Sequence, residues 1–188
     1  MPHRCELVVI GASLGGPRAL ASILRALPPD FGAAIAVVQH IADGFADGLA
    51  RWLATETRLR VDTAAEGDPL LPGRVLVAPS GRHLAVCRGA VHLCDEPPVE
   101  AFRPSATRLF ASAASSYGPR ACGVILTGMG RDGAEGLREL RDAGALTLAQ
   151  DESTSIVFGM PKAAIELGAV DRVLPLEEIP RALLEQVR

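Results

Sequence analysis

Aromatic residues make up only 4% of this 188-residue chain, five Phe with one Trp and one Tyr, and no basic stripe interleaved with aromatics occurs anywhere. With a formal charge of -3, the chain lacks the electrostatic footprint of a nucleic-acid-binding protein. No stretch approaches the roughly 20 uninterrupted apolar residues of a membrane span. Nor does a charged flank followed by an apolar core open the sequence as a signal peptide would. A cytoplasmic protein without membrane insertion is therefore expected. The four cysteines, Cys5, Cys87, Cys94 and Cys122, show no C-x-x-C spacing. That removes the usual zinc and dithiol motifs and leaves reduced core thiols as the expectation, with no metal and no cofactor implied. Linkers, internal repeats and low-complexity tracts are also missing. Residues 1–188 are accordingly expected to form a single domain, of a size at which folding buries about 70% of the unfolded surface.

What the chain does have is alternation. Leu7 to Gly11, Ile35 to Gln39, Arg74 to Ala78, Gly123 to Thr127, Ala145 to Ala149 and Val170 to Leu174 read as short strands. Several are continuous apolar runs, as strands buried on both faces of a parallel sheet must be. Between them, Pro17 to Leu27, Gly44 to Thr55, Ser105 to Ser116, Ala134 to Ala143, Lys162 to Leu167 and Leu176 to Val187 carry apolar residues at helical spacing, with Pro or Gly at their edges. The pattern predicts an α/β fold: a doubly wound, mostly parallel sheet with helices on both faces. Leu84 to Cys87 and Ala90 to Leu93, joined by Arg88-Gly89, add an antiparallel hairpin at its edge. Trp52 and Leu49 on the second helix read as core, and Phe158 with Met160-Pro161 as packing.

Gly11-Ala12-Ser13-Leu14-Gly15-Gly16 places one hydroxyl between glycines directly after an apolar strand. Small residues on either side of a serine allow a sharp strand-to-helix elbow that exposes its oxygen as a nucleophile. The same residues would also serve as a phosphate cradle at a helix N-terminus, or as a turn with no ligand. In sheets of this type ligands gather at the carboxyl ends of the strands. There the first strand delivers Ser13, the second Gln39-His40, and the strand after Cys122 delivers Thr127-Gly128-Met129-Gly130-Arg131-Asp132-Gly133. A hydroxyl, an imidazole and a carboxylate at one edge are the parts of base-assisted nucleophilic catalysis. Each part also has a plainer reading. His40 could be a hydrogen-bonded structural histidine, and Asp132, before Gly133 at a helix start, could be an N-cap. Their order, Ser then His then Asp, differs from that of the α/β-hydrolases, where the acid precedes the histidine. Backbone N–H groups near Leu14 and around Met129 are the candidate oxyanion donors. His83 and His92 fall in the hairpin, away from the strand ends, and are not expected to be catalytic.

Together these motifs resemble the catalytic domain of the CheB-type chemotaxis protein-glutamate methylesterases. The resemblance is carried by Gly11-Ala12-Ser13 with Gly15-Gly16, Val38-Gln39-His40, Arg103-Pro104-Ser105 and Ile125-Leu126-Thr127-Gly128-Met129-Gly130 before Asp132-Gly133. It continues through Ala149-Gln150-Asp151-Glu152-Ser153-Thr154-Ser155 and Phe158-Gly159-Met160-Pro161-Lys162-Ala163-Ala164, and so spans residues 6 to 187. The resemblance implies a hydrolase of glutamate methyl esters on the cytoplasmic helices of methylated chemoreceptors, releasing methanol, with a side activity converting receptor glutamine to glutamate. It implies Ser13 as nucleophile, His40 as base, Asp132 as orienting acid, and Met129 as a site-lining residue lending its amide to the oxyanion. Arg103 could steer acidic receptor helices or be a solvated structural arginine.

Two departures from the family stand out. Leu14 follows the nucleophile where the family usually has threonine. Only twelve residues precede Ser13, where full-length members carry a phosphorylatable receiver domain, so a catalytic domain without a receiver is expected. Three other functions share the residues: a serine amidase or deamidase acting on protein glutamine, a phosphate- or nucleotide-binding module using the two glycine-rich turns, and a silent receptor-binding scaffold. The binding module leaves His40 idle, and no acidic ribose partner follows the first turn at the usual spacing.

Overall fold

Strands buried on both faces must be apolar almost throughout, and Leu7–Ala12 (β1) and Ala34–Gln39 (β2) are buried at every position. They form the centre of a seven-stranded sheet in a computed structural model that describes residues 4–187. Arg60–Thr63 (β3) and Arg74–Val77 (β4) come next in the chain, then the hairpin His83–Cys87 (β5) and Ala90–Cys94 (β6). Ala121–Ile125 (β7), Leu146–Gln150 (β8) and Arg172–Leu174 (β9) complete the set. The sheet order is β3-β4-β2-β1-β7-β8-β9, with every neighbouring pair parallel. The chain leaves β1 toward β2 on one side and later returns to place β7 on the other. That reversal of strand order opens a crevice at the carboxyl ends of β1, β2 and β7.

The helices are Gly16–Ala26 (α1), Ala46–Glu56 (α2), Ala106–Tyr117 (α3), Ala134–Asp142 (α4), Met160–Glu166 (α5) and Ile179–Val187 (α6). Because strand side chains alternate between faces, Val8, Ile10 and Ala12 pack against α1, α2 and α6, whereas Leu7 and Val9 pack against α3, α4 and α5. The doubly wound architecture is as expected. The hairpin is present at the expected turn and forms a two-stranded sheet of its own, whose Leu84 and Val86 join the core beneath α3.

Three local expectations are corrected. The edge strand β3 is absent from the predicted set, because Val61 is its only apolar residue and an edge strand needs no continuous apolar run. Trp52 is 39% exposed, on the outer side of α2, while Leu49 is core. Only Cys5 and Cys122 are buried thiols; Cys87 is exposed and Cys94 half-buried, at the ends of hairpin strands where side chains reach the surface. Burial pushes the Cys5 thiol up to about 12, with a backbone hydrogen bond at Leu7 working the other way.

The end of β1 and the start of α3 approach each other unusually closely. A β-carbon on Gly11 would stand 2.8 Å from Cβ of Ala106 and 3.2 Å from Cζ of Phe110. Glycine at that position lets the first turn of α3 lie directly against the end of β1. Gly11→Ala is therefore expected to destabilise the protein by about 1–3 kcal/mol through overpacking. A urea midpoint equal to that of the parent would contradict this.

Candidate active site

Ser13 and His40 come directly after a register pair, Ala12 opposite Gln39, on adjacent parallel strands. Neighbouring strands lie about 4.8 Å apart, so the nucleophile and base candidates leave the sheet side by side. The backbone ties them further. His40 N donates to Ala12 O at 2.9 Å, and the buried Gln39 amide donates to both Ser13 O at 2.7 Å and His40 O at 2.9 Å.

Ser13 sits on a tight elbow. Its carbonyl accepts from Gly16 N at 2.8 Å, Gly15 holds a left-handed φ of 83° just ahead of α1, and Pro17 occupies the first turn of that helix. On the other side Ser13 N donates to Thr127 O at 3.0 Å. The Thr127 hydroxyl donates to Leu14 O at 2.9 Å and accepts from Val157 N at 3.0 Å. A β-carbon on Gly128 would lie 2.6 Å from Ser13 Cβ, so the β7 loop can press against the elbow only as glycine. The buried Gln150 side chain holds this loop from below, accepting from Thr127 N at 2.8 Å and donating to Thr154 O at 2.8 Å. Leu14 and Met129 thus flank Ser13 and are 53% and 64% exposed. Among the described residues their N–H groups have no acceptor. Met160 is fully buried as packing.

Asp132 is fully buried. One carboxylate oxygen accepts from His40 Nε2 at 2.8 Å and Ala106 N at 2.7 Å; the other accepts from the Ser105 hydroxyl at 2.6 Å and Thr107 N at 3.2 Å. Two of these donors are first-turn N–H groups of α3, which carry the positive end of the helix dipole. Burial works to raise the Asp132 carboxyl, but the hydrogen bonds from His40, Ser105 and Ala106 outweigh it and hold the group below its ordinary value. The N-cap reading of Asp132 for α4 does not hold: Gly133 stands at that cap with no side-chain hydrogen bond.

A carboxylate can only accept, so His40 presents Nε2–H to Asp132 and keeps the Nδ1 lone pair free. Among the described residues Nδ1 is buried and without a partner, and Ser13 Oγ is not hydrogen-bonded to it. Catalytic contacts of this kind commonly tighten only when substrate arrives. Phe102 lies flat on the His40 ring, centroids 4.0 Å apart and planes 3° apart. A cleft of about 530 Å³ opens beside His40, lined among others by Ile41, Asp43, Phe102, Arg103 and Pro104. A second cavity of about 570 Å³ lies at the opposite ends of the strands, around Cys5, Ala121 and Leu146, and holds none of these groups. Arg103 is exposed and donates to the carbonyls of Asp95 and Glu96, both at 3.3 Å. Among the described residues no group of three or more His, Cys, Asp or Glu is placed to hold a metal ion, and no helix is long and apolar enough to cross a membrane.

Ser105 is the N-cap of α3. The hydroxyl does accept from Arg108 N at 3.4 Å, but its shorter contact is to Asp132. His83, not expected to be catalytic, is fully buried, with Nδ1 accepting from Ser105 N at 3.3 Å and Nε2 donating to Pro97 O at 3.1 Å. It supports the residue that supports the acid. His92 is exposed and paired with Glu66 on the hairpin. Phe102 escapes sequence reasoning, since no local pattern announces a ring that meets His40 across the crevice.

A model of the CheB methylesterase family matches residues 8–183. Protein-glutamate methylesterase/protein-glutamine glutaminase 2 of Anaeromyxobacter dehalogenans is 71% identical over 185 residues, covering 98% of this chain and 54% of that protein. Protein-glutamate methylesterase FrzG of Myxococcus xanthus is 53% identical over 187 residues, 99% of this chain and 56% of its own length. The chain thus spans about half the length of the curated relatives it matches. The crystal structure of the Thermotoga maritima CheB methylesterase catalytic domain superposes with a TM-score of 0.92 at 40% identity, over 96% of this chain and 98% of that one.

The depressed Asp132 group contributes stability that is fully present above the ordinary aspartate value of 3.8 and is lost as pH falls through its lower folded value. Ser105→Ala removes one donor from this carboxylate together with the α3 cap. It is expected to cost about 1 kcal/mol at neutral pH and to move acid unfolding to higher pH. Circular dichroism along an acid titration checks this; an acid midpoint equal to the parent's would contradict the role given to the hydroxyl.

Proposed function

The chain belongs to the CheB methylesterase family, and from that premise we propose that it hydrolyses methyl esters of glutamate side chains on the cytoplasmic signalling helices of chemoreceptors. Ser13 is the nucleophile, His40 the general base and Asp132 the acid that orients the base. The observation that carries this reading is the 2.8 Å contact between His40 Nε2 and the buried Asp132, which leaves the other imidazole nitrogen without a partner among the described residues.

As Ser13 Oγ attacks the ester carbonyl, its proton passes to His40 Nδ1. The carbonyl π electrons move onto oxygen, which the N–H groups of Leu14 and Met129 receive. Backbone amides aimed at the developing charge would cost no reorganisation as it forms, and among the described residues neither N–H is spent on another acceptor. Collapse of the tetrahedral adduct expels the methoxy group, which takes the proton from Nδ1 and leaves as methanol, so that a glutamyl ester remains on Ser13. Water then repeats the sequence: its proton goes to Nδ1, its oxygen to the acyl carbon, and Ser13 leaves reprotonated. Throughout, Asp132 stays ionised and stabilises the imidazolium. Leu14 acts through its amide, so the change from the threonine usual in the family leaves this part intact.

A glutamine side chain differs only in its leaving group, ammonia in place of methanol, and the names of the Anaeromyxobacter relatives pair the two activities. The same residues would therefore deamidate receptor glutamine. Arg103, exposed at the rim of the cleft beside His40, would steer acidic receptor helices by its charge, with its guanidinium held by the carbonyls of Asp95 and Glu96. The reaction belongs in the cytoplasm, where those helices lie.

Purified protein is expected to release methanol from a methylated receptor signalling fragment, with Ser13→Ala and His40→Ala removing nearly all turnover. Asp132→Asn should lose on the order of 10² to 10⁴ in kcat through release of the imidazole from its tautomer. Methanol release with undiminished rate from Ser13→Ala would refute the proposal.

A further inference from the structure

Asp132 fixes one atom of the His40 ring, and a single hydrogen bond at Nε2 leaves the plane of the imidazole free to swing. Phe102 removes that freedom, since its ring lies parallel to the imidazole at a centroid distance of 4.0 Å. The backbone that delivers it is strained. Val99 and Phe102 exchange both backbone hydrogen bonds, at 3.1 and 2.8 Å, and close a two-residue turn in which Glu100 and Ala101 have φ of 48° and 72°. Positive φ at both central residues is the habit of a type I′ turn, for which Asn-Gly is the favoured pair. Side chains bearing a β-carbon are disfavoured there. Such conformations persist only where the surroundings over-determine them, and they cluster at functional sites.

The surroundings here belong to the acid. Glu100 faces Arg131, the neighbour of Asp132, at 3.7 Å, and three residues beyond Phe102 the chain is bound to Asp132 through Ser105 and Ala106. One short segment, Val99 to Thr107, therefore braces the acid from its helix end and the base from its turn.

We propose that Phe102 is a positioning residue for His40, holding the imidazole plane while Nε2 stays on Asp132, so that Nδ1 is kept in one orientation for receiving the Ser13 proton. The inference rests on the proposed role of His40 as base. Its effect is greatest in the transition state. When Nδ1 takes the serine proton the ring becomes a cation, and the electron-rich face of Phe102 already lies against it. Covering that face also keeps water off the imidazolium while the proton waits for the leaving group.

Phe102→Leu keeps an apolar side chain but no flat face, whereas Phe102→Tyr keeps the face. In methanol release from the methylated receptor fragment, Phe102→Leu is expected to lower kcat roughly 3- to 30-fold with little change in KM, and Phe102→Tyr to stay within about twofold of the parent. Proton NMR supplies a reading independent of turnover. The ring current of Phe102 should shift the His40 ring protons upfield in the parent and in Phe102→Tyr, and not in Phe102→Leu. Thermal unfolding establishes that the variants are folded; if Phe102→Leu is not, Phe102→Tyr still decides, because an intact stack with parent kcat is required of it. A folded Phe102→Leu with the parent's kcat, or a Phe102→Tyr that retains the upfield shift but loses kcat as Leu does, would overturn the proposal. A parent that releases no methanol would instead refute the proposed function, and this inference with it.

Discussion

The structure turns on a buried carboxylate. Asp132 has no access to water, and an ionised group in that position is tolerable only if protein donors replace its hydration. Four do so: His40 Nε2, the Ser105 hydroxyl, and the N–H groups of Ala106 and Thr107. Three of them lie at the start of α3, so the helix must begin within hydrogen-bonding distance of the loop after β7. It can do so because Gly11 leaves room at the end of β1 for Ala106 and Phe110. A single absent side chain in the sheet thus decides where the acid is charged, and the charged acid decides which nitrogen of His40 is free.

The sheet topology does the remaining work of assembly. His40 and Asp132 are 92 residues apart in the chain, yet β2 and β7 are the two neighbours of β1, so everything after their carboxyl ends converges on the elbow after Ala12. The glycine-rich β7 loop presses on Ser13 from one side, the Gln39 amide ties it to His40 from the other, and Gln150 fixes the loop beneath. The rigidity comes from buried polar groups whose partners are backbone atoms, which have little freedom to move away.

Much of this is legible in the sequence, for physical reasons that also mark its limit. Strands β1 and β2 are apolar throughout because both faces are covered, and Ser13, His40 and Asp132 stand out because each comes after such a run. The edge strand β3 carries one apolar residue and gives no such signal. Trp52 fits the apolar stripe of α2 by spacing, but the stripe is wider than the surface available to cover it. Phe102, Ser105 and His83 show the deeper limit. A cap can be read from local spacing, and Ser105 is one; that its hydroxyl also serves Asp132, that His83 in turn holds its amide, and that Phe102 meets His40 are facts of tertiary approach. No periodicity encodes them.

The most direct test of the Ser13, His40 and Asp132 assembly is covalent labelling of Ser13 by a fluorophosphonate, read by peptide mass spectrometry and compared as rates in the parent, His40→Ala and Asp132→Asn. Labelling depends on activation of the hydroxyl by the base and needs no receptor substrate. A single adduct on Ser13, strongly slowed in both variants, is the predicted result. Adducts on other serines, or equal rates in all three proteins, would contradict it.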